Sequence, residues 1–158
     1  MSAARMPFNR KLAFVGGILT AAIVSPAWGQ KLPDKTLQEV LVKTTLLSFN
    51  DANVTGNYSV LHAKLSKPFR DQFSPERLKE AFKVFSEKHI DFDIIAAKPP
   101  IPNQDPKVTD GGVLQLYGYF DTTPSRVVYE LEYIMSDGEW KPTRINVNIK
   151  PTEGKEGK

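Results

Sequence analysis

The sequence predicts an α+β fold with N-terminal helices packed on a four-stranded antiparallel sheet. Three observations predict it. Apolar residues recur at helical spacing between Leu37 and Phe85. Apolar and polar residues then alternate in short runs from Ile90 to Ile149. Turn signals separate those runs at close intervals, which joins neighbouring strands rather than distant ones. Helices gathered before strands indicate α+β rather than α/β.

Met1 to Lys11 carries Arg5, Arg10 and Lys11 and no acidic residue. Leu12 to Val24 is apolar, Pro26 follows, and small residues surround Ala27 and Gly29. This order of charge, short apolar run and small residues predicts an export signal at 1–29, cleaved after Ala27 or Gly29. The run falls short of the roughly twenty apolar residues needed to span a bilayer, so no stable membrane anchor is expected after cleavage. Localisation is then exported, periplasmic or secreted, and bacterial in the brevity of its signal.

The whole chain has 21 basic and 18 acidic residues, a net charge of +3. Because three of the basic residues precede Gln30, the body from Gln30 onward balances 18 against 18. A neutral body argues against nucleic acid as a partner. The absence of Cys removes disulfides and thiolate chemistry.

Thr36-Leu37-Gln38-Glu39 has the form of a capping box. Leu37, Val40, Leu41, Thr44 and Leu47 or Ser48 then form an expected buried stripe, with the helix ending near Ala52. Asn53 to Asn57 is a turn. Tyr58 to Leu65 reads as a second short helix with Tyr58, Leu61 and Leu65 on one face, and Pro68 ends it or starts another turn. Ser74-Pro75 opens a third helix, with Leu78, Ala81, Phe82 and Phe85 as its stripe.

Ile90, Phe92 and Ile94 alternate with Asp91 and Asp93, which predicts a first strand with the two carboxylates facing outward. Pro99 to Gly112 holds four Pro and two Gly and is expected to lack regular structure. Val113 to Asp121 is the second strand. Arg126 to Met135 is the third, with Val127, Tyr129, Leu131, Tyr133 and Met135 inward and Glu130 and Glu132 outward. Asp137-Gly138 marks a hairpin turn, and Trp140 to Ile149 is the fourth strand. The domain is expected to span 30–149, with 150–158 as a polar, disordered tail.

Leu47-Ser48-Phe49-Asn50-Asp51-Ala52, Tyr58-Ser59-Val60-Leu61-His62 and Asp137-Gly138-Glu139-Trp140-Lys141-Pro142-Thr143-Arg144-Ile145 together give the chain a layout that resembles the NTF2-like, or SnoaL-like, cystatin-like superfamily. The resemblance covers roughly Leu37 to Ile149 and implies an uncharacterised secreted branch. It implies an α+β cone, with helices wrapped by a curved sheet, and a homodimer paired through sheet faces. The superfamily holds isomerases, dehydratases, cyclases and ligand cups, so fold alone fixes no reaction.

Tyrosines on the inner strand face, with Trp140 and Phe92, predict an apolar cup with polar tips, so the ligand-binding candidates are Phe92, Tyr129, Tyr133 and Trp140. Tyr119, opposite the apolar residues of its strand, ranks below them. His62 is the weak candidate for a catalytic base, and His89 reads as a helix cap. Asp91 with Asp93, and Glu130 with Glu132, read as solvated strand faces rather than acid–base pairs. No metal spacing and no cofactor-binding motif is present. The triplets at Asn53 and Asn57 match a glycosylation signal by sequence alone and are discounted.

The favoured expectation is a non-enzymatic exported domain that binds a small apolar ligand or a protein partner in the cell envelope. The alternatives are a cofactor-free lyase or isomerase of the SnoaL or ketosteroid-isomerase kind using His62 or a tyrosine, and a structural or oligomerisation module. The long segment 98–112 is read as a mobile loop or a lid.

Overall fold

A computed structural model describes residues 19–20 and 30–152. The expected export signal and the expected tail beyond residue 152 lie outside the described residues, Leu19 and Thr20 excepted. The described chain is α+β, with an antiparallel sheet and all but one two-residue strand following the helices.

Helix α1 runs Lys35–Thr55. Its cap is Asp34, whose carboxylate accepts from Leu37 N at 2.8 Å; the box expected at Thr36 lies two residues too late, because Asp34 already supplies the oxygen that the first free N–H groups need. Gly56, at φ 70°, ends it in the left-handed conformation. The buried residues are Val42, Thr45, Leu46, Ser48, Phe49, Asn50, Ala52 and Asn53, of which Ser48 belongs to the expected stripe. The expected stripe is therefore rotated: Leu37 and Val40 are exposed. Two stripes compete on this helix, and Phe49 decides between them. Its ring meets Phe82 edge-on at 4.8 Å, Phe85 edge-on at 5.1 Å and Phe92 at 6.2 Å, which adds aromatic pairing to area burial.

Four short helices follow: α2 at Ser59–Lys64, α3 at Lys67–Gln72, α4 at Pro75–Ala81 and α5 at Lys83–Glu87. Tyr58, Leu61 and Leu65 are buried as expected. Helix α3 takes the second of the two outcomes expected at Pro68, a further turn, since Pro is well placed in a first helical turn. Ser74 caps α4 through Arg77 N. Ala81, expected in the core stripe, is exposed.

The first expected strand does not form. Asn50 Oδ1 accepts from Phe92 N at 2.9 Å, and Asn50 Nδ2 donates to Asp91 Oδ1 at 2.7 Å. Asp91 also accepts from Asp93 N at 3.1 Å. These side chains take the backbone groups that a sheet ladder would use, and a 3₁₀ turn follows at Asp93–Ala97. Phe92 and Ile95 are buried while Ile94 is exposed.

Among the described residues the sheet has six strands in the order β1-β6-β5-β4-β2, with β3 also on β4. Its long members are β4 (Leu114–Phe120), β5 (Ser125–Ser136) and β6 (Glu139–Pro151). The short ones are β1 (Leu19–Thr20), β2 (Ile101–Pro102) and β3 (Lys107–Val108). The Pro-rich segment is thus regular in two places, both against β4. Proline is tolerated there because an edge strand leaves one side of its backbone unpaired.

The hairpin at Asp137-Gly138 forms, with φ of 56° and 81°, the pair of positive values that a tight hairpin needs. A bulge leaves Thr143 unmatched between Arg144, opposite Glu132, and Pro142, opposite Tyr133. Beyond it Met135, expected inward, is exposed and Ile134 is buried. Strand β6 also runs two residues past the expected end at Ile149. The hydrophobic core lies wholly between Leu41 and Ile149.

Candidate functional site

Helix α1 meets β5 where the Tyr133 hydroxyl bonds Leu41 O and Thr45 Oγ1, and an opening borders the helix on each side of that contact. One flank, through Lys35, Gln38, Glu39 and Val42, borders a cavity of about 600 Å³. The other, through Leu41, Thr44, Thr45 and Ser48, borders a groove of about 390 Å³.

The larger cavity is closed below by Leu116 and Tyr129, and at its sides by Leu32, Pro33, Pro100, Pro102 and Pro106, with Asp34, Asp105 and Tyr117 also on its wall. Prolines make a stiff apolar wall without donors that would need partners. Tyr129 is 3% exposed, and among the described residues its hydroxyl has no hydrogen-bond partner. Its ring lies over Gly118, its cross-strand neighbour. A Cβ at Gly118 would stand 2.3 Å from Ile101 O and 2.6 Å from the Tyr129 hydroxyl. Glycine at 118 thus lets β2 close on β4 while the Tyr129 ring passes above. Burial pushes the Tyr129 phenol well above its usual range. It is therefore neutral at ordinary pH, a donor or acceptor of a hydrogen bond rather than a base.

Tyr133 sits four residues further on the same strand face but belongs to the groove. Its hydroxyl bonds Leu41 O and Thr45 Oγ1, both at 3.0 Å. Burial also raises this phenol, partly offset by the Thr45 contact. Trp140 lines the same groove beside Lys64, whose ammonium donates to Ser48 Oγ at 2.7 Å.

The four residues expected to share one cup are therefore divided. Tyr129 is in the cavity, Tyr133 and Trp140 are in the groove, and Phe92 is in the core against Phe49. Face parity put them together, but α1 runs between them. His62 lines neither opening; its Nε2 lies 3.3 Å from Arg70 O. His89 follows α5 at φ 50°. Asn53 of the first glycosylation triplet is 2% exposed and donates to Phe49 O at 2.8 Å, so it is closed to modification in the folded chain.

Glu130 and Glu132 face away from the helices as expected, yet they are not simply solvated. Arg144 bridges them, reaching Glu130 at 3.2 Å and Glu132 at 3.4 Å. Tyr117 donates to Glu132, as does Gln115 at 3.1 Å. Burial, then the hydrogen bond to Glu132, raises the Tyr117 phenol. Among the described residues no three His, Asp or Glu side chains converge as a metal cluster, and no helix is long and apolar enough to cross a membrane.

Sequence reasoning missed Gly118, Leu32 and the proline wall. Gly118 carried a signal, since glycine inside a strand marks a close approach of another group. The wall carried none, because it depends on β2 and β3 joining the sheet. Comparison with protein-family models, with curated proteins and with solved structures finds no match to this chain.

Proposed function

We propose that this chain is an exported domain, periplasmic or secreted, that binds a small apolar ligand in the Tyr129 cavity without catalysis. The observation that carries the reading is the hydroxyl of the deeply buried Tyr129, which has no hydrogen-bond partner among the described residues and stands on the wall of a largely apolar space. A ligand bearing one hydrogen-bonding group would gain about 0.5–1.5 kcal/mol by pairing with it. The volume lies within the roughly 300–1,000 Å³ usual for small-molecule sites. The NTF2-like cone is the fold family we favour. Its support is the order of helices before an antiparallel meander, with α1 across the inner sheet face.

A titration with the neutral fluorophore N-phenyl-1-naphthylamine tests the site. Saturable binding to the natural chain is expected, with a marked loss for Leu32→Trp, which fills the mouth from an exposed position. Equal binding by both proteins would sink the proposal. Export is tested separately: amino-terminal sequencing of the product should begin at Trp28 or Gln30, and a product beginning at Met1 would contradict cleavage.

A further inference from the structure

Among the described residues the outer edge of β6 is paired only briefly. Leu19 stands opposite Ile145 and Thr20 opposite Arg144, and Pro142 O accepts from Ser66 N at 2.9 Å. The stretch that follows, Ile145-Asn146-Val147-Asn148-Ile149, contains no charge and no proline. Sheet edges are normally guarded by such residues, because an unguarded edge recruits another strand. Here the guard is β1, which belongs to the segment expected to be cut away on export.

We infer that β6 is a strand-acceptor edge, held in the full chain by Leu19–Thr20 and, once residues 1–29 are gone, by the same edge of a second copy. The sequence of the edge is self-complementary in the antiparallel sense. With the two-fold axis at Asn146, Ile145 lies opposite Val147 of the second copy on the inner face, a favourable β-branched pair. On the outer face Arg144 lies opposite Asn148, so no like charges meet. An axis at Val147 would set Arg144 against Lys150, and one at Ile145 would draw the Thr143 bulge into the central pairs. Axes between residues would set apolar faces against polar ones. The inference rests on export with loss of 1–29, and it is independent of the Tyr129 cavity.

The absence of cysteine makes the test clean. In a chain beginning at Gln30, which retains the whole core from Leu41 to Ile149, Asn146→Cys is expected to form an intermolecular disulfide under mild oxidation. Residues paired across an antiparallel ladder lie about 4.5–5.5 Å apart at Cα, within disulfide reach. Asn148→Cys places its two sulfurs on strands offset by about 13 Å and is expected not to cross-link. Sedimentation of the unsubstituted chain from Gln30 should give a dimer, and Asn146→Lys with Asn148→Lys should give a monomer whose circular dichroism is unchanged. The full chain, its edge held by β1, should cross-link several-fold less through Asn146→Cys. A monomer at every concentration, higher oligomers, equal cross-linking at 146 and 148, or no difference between full and shortened chains would each overturn the inference. Because amino-terminal sequencing reads cleavage alone, failure of export is distinguishable from failure of the edge.

Discussion

Tyr129 and Tyr133 share a strand, a face and deep burial, yet they do opposite things. Tyr133 is tied at both ends of its hydrogen-bonding capacity to α1, through Leu41 O and Thr45 Oγ1. Tyr129 has the same hydroxyl with no partner among the described residues and an apolar cavity before it. The difference comes from α1, whose Leu41 and Thr45 bond Tyr133 while its Gln38 and Val42 only border the space beside Tyr129. A satisfied buried phenol contributes to stability, whereas the partnerless hydroxyl of Tyr129 is the group the proposed ligand would meet.

The comparison can be broken at Gly118. A methyl there meets the Ile101 carbonyl and the Tyr129 hydroxyl together. Gly118→Ala should cost about 2–3 kcal/mol by overpacking and abolish fluorophore binding. A thermal melt matching the natural chain would show that Tyr129 is not crowded as described.

Alkaline pH acts on both tyrosines at once. Phenols in the unfolded chain ionise near 10. Burial pushes Tyr58 up to about 12, with Ser86 pulling slightly the other way, and raises Tyr129 and Tyr133 further. Each folded-state value lies above its unfolded value, so the stability it contributes is complete below about pH 10 and is lost as pH rises beyond it. Urea midpoints should fall steadily above that pH. A midpoint that stays level to pH 12 would contradict the burial of these rings.

The two substitutions to phenylalanine then separate the pair. Tyr133→Phe should cost about 1–2 kcal/mol in urea denaturation, because Thr45 and Leu41 O lose their partner, and should leave binding intact. Tyr129→Phe should change stability by no more than about 0.5 kcal/mol. It should weaken a ligand that hydrogen-bonds to it by about three- to tenfold. Reversal of these two outcomes would invert the assignment.

Much of the sheet was legible in the sequence because alternation and the Asp137-Gly138 turn report backbone geometry directly. On β5 the inward set Val127, Tyr129, Leu131 and Tyr133 is buried as expected. Where a side chain competes with the backbone, alternation misleads. Asn50 and Asp91 turn the run from Ile90 to Ile94 into a cap and a 3₁₀ turn. On α1 two apolar stripes were available, and only the position of Phe82, Phe85 and Phe92 around Phe49 chooses between them. The site was half legible. Face parity identified Tyr129 and Tyr133, but the split between them depends on the path of α1, and the wall depends on Pro100, Pro102 and Pro106 reaching β4. Neither is a local property of the residues concerned.

The central claim is that Tyr129, and not Tyr133, meets a bound ligand. Labelling all five tyrosines with ¹³C at Cζ, and assigning them by single Tyr→Phe substitutions, reads each hydroxyl separately. On titration with 2-acetylnaphthalene, an apolar body with one hydrogen-bond acceptor, the Tyr129 resonance should move saturably while that of Tyr133 stays in place. A shift at Tyr133 with none at Tyr129, or no shift at either, would contradict the claim.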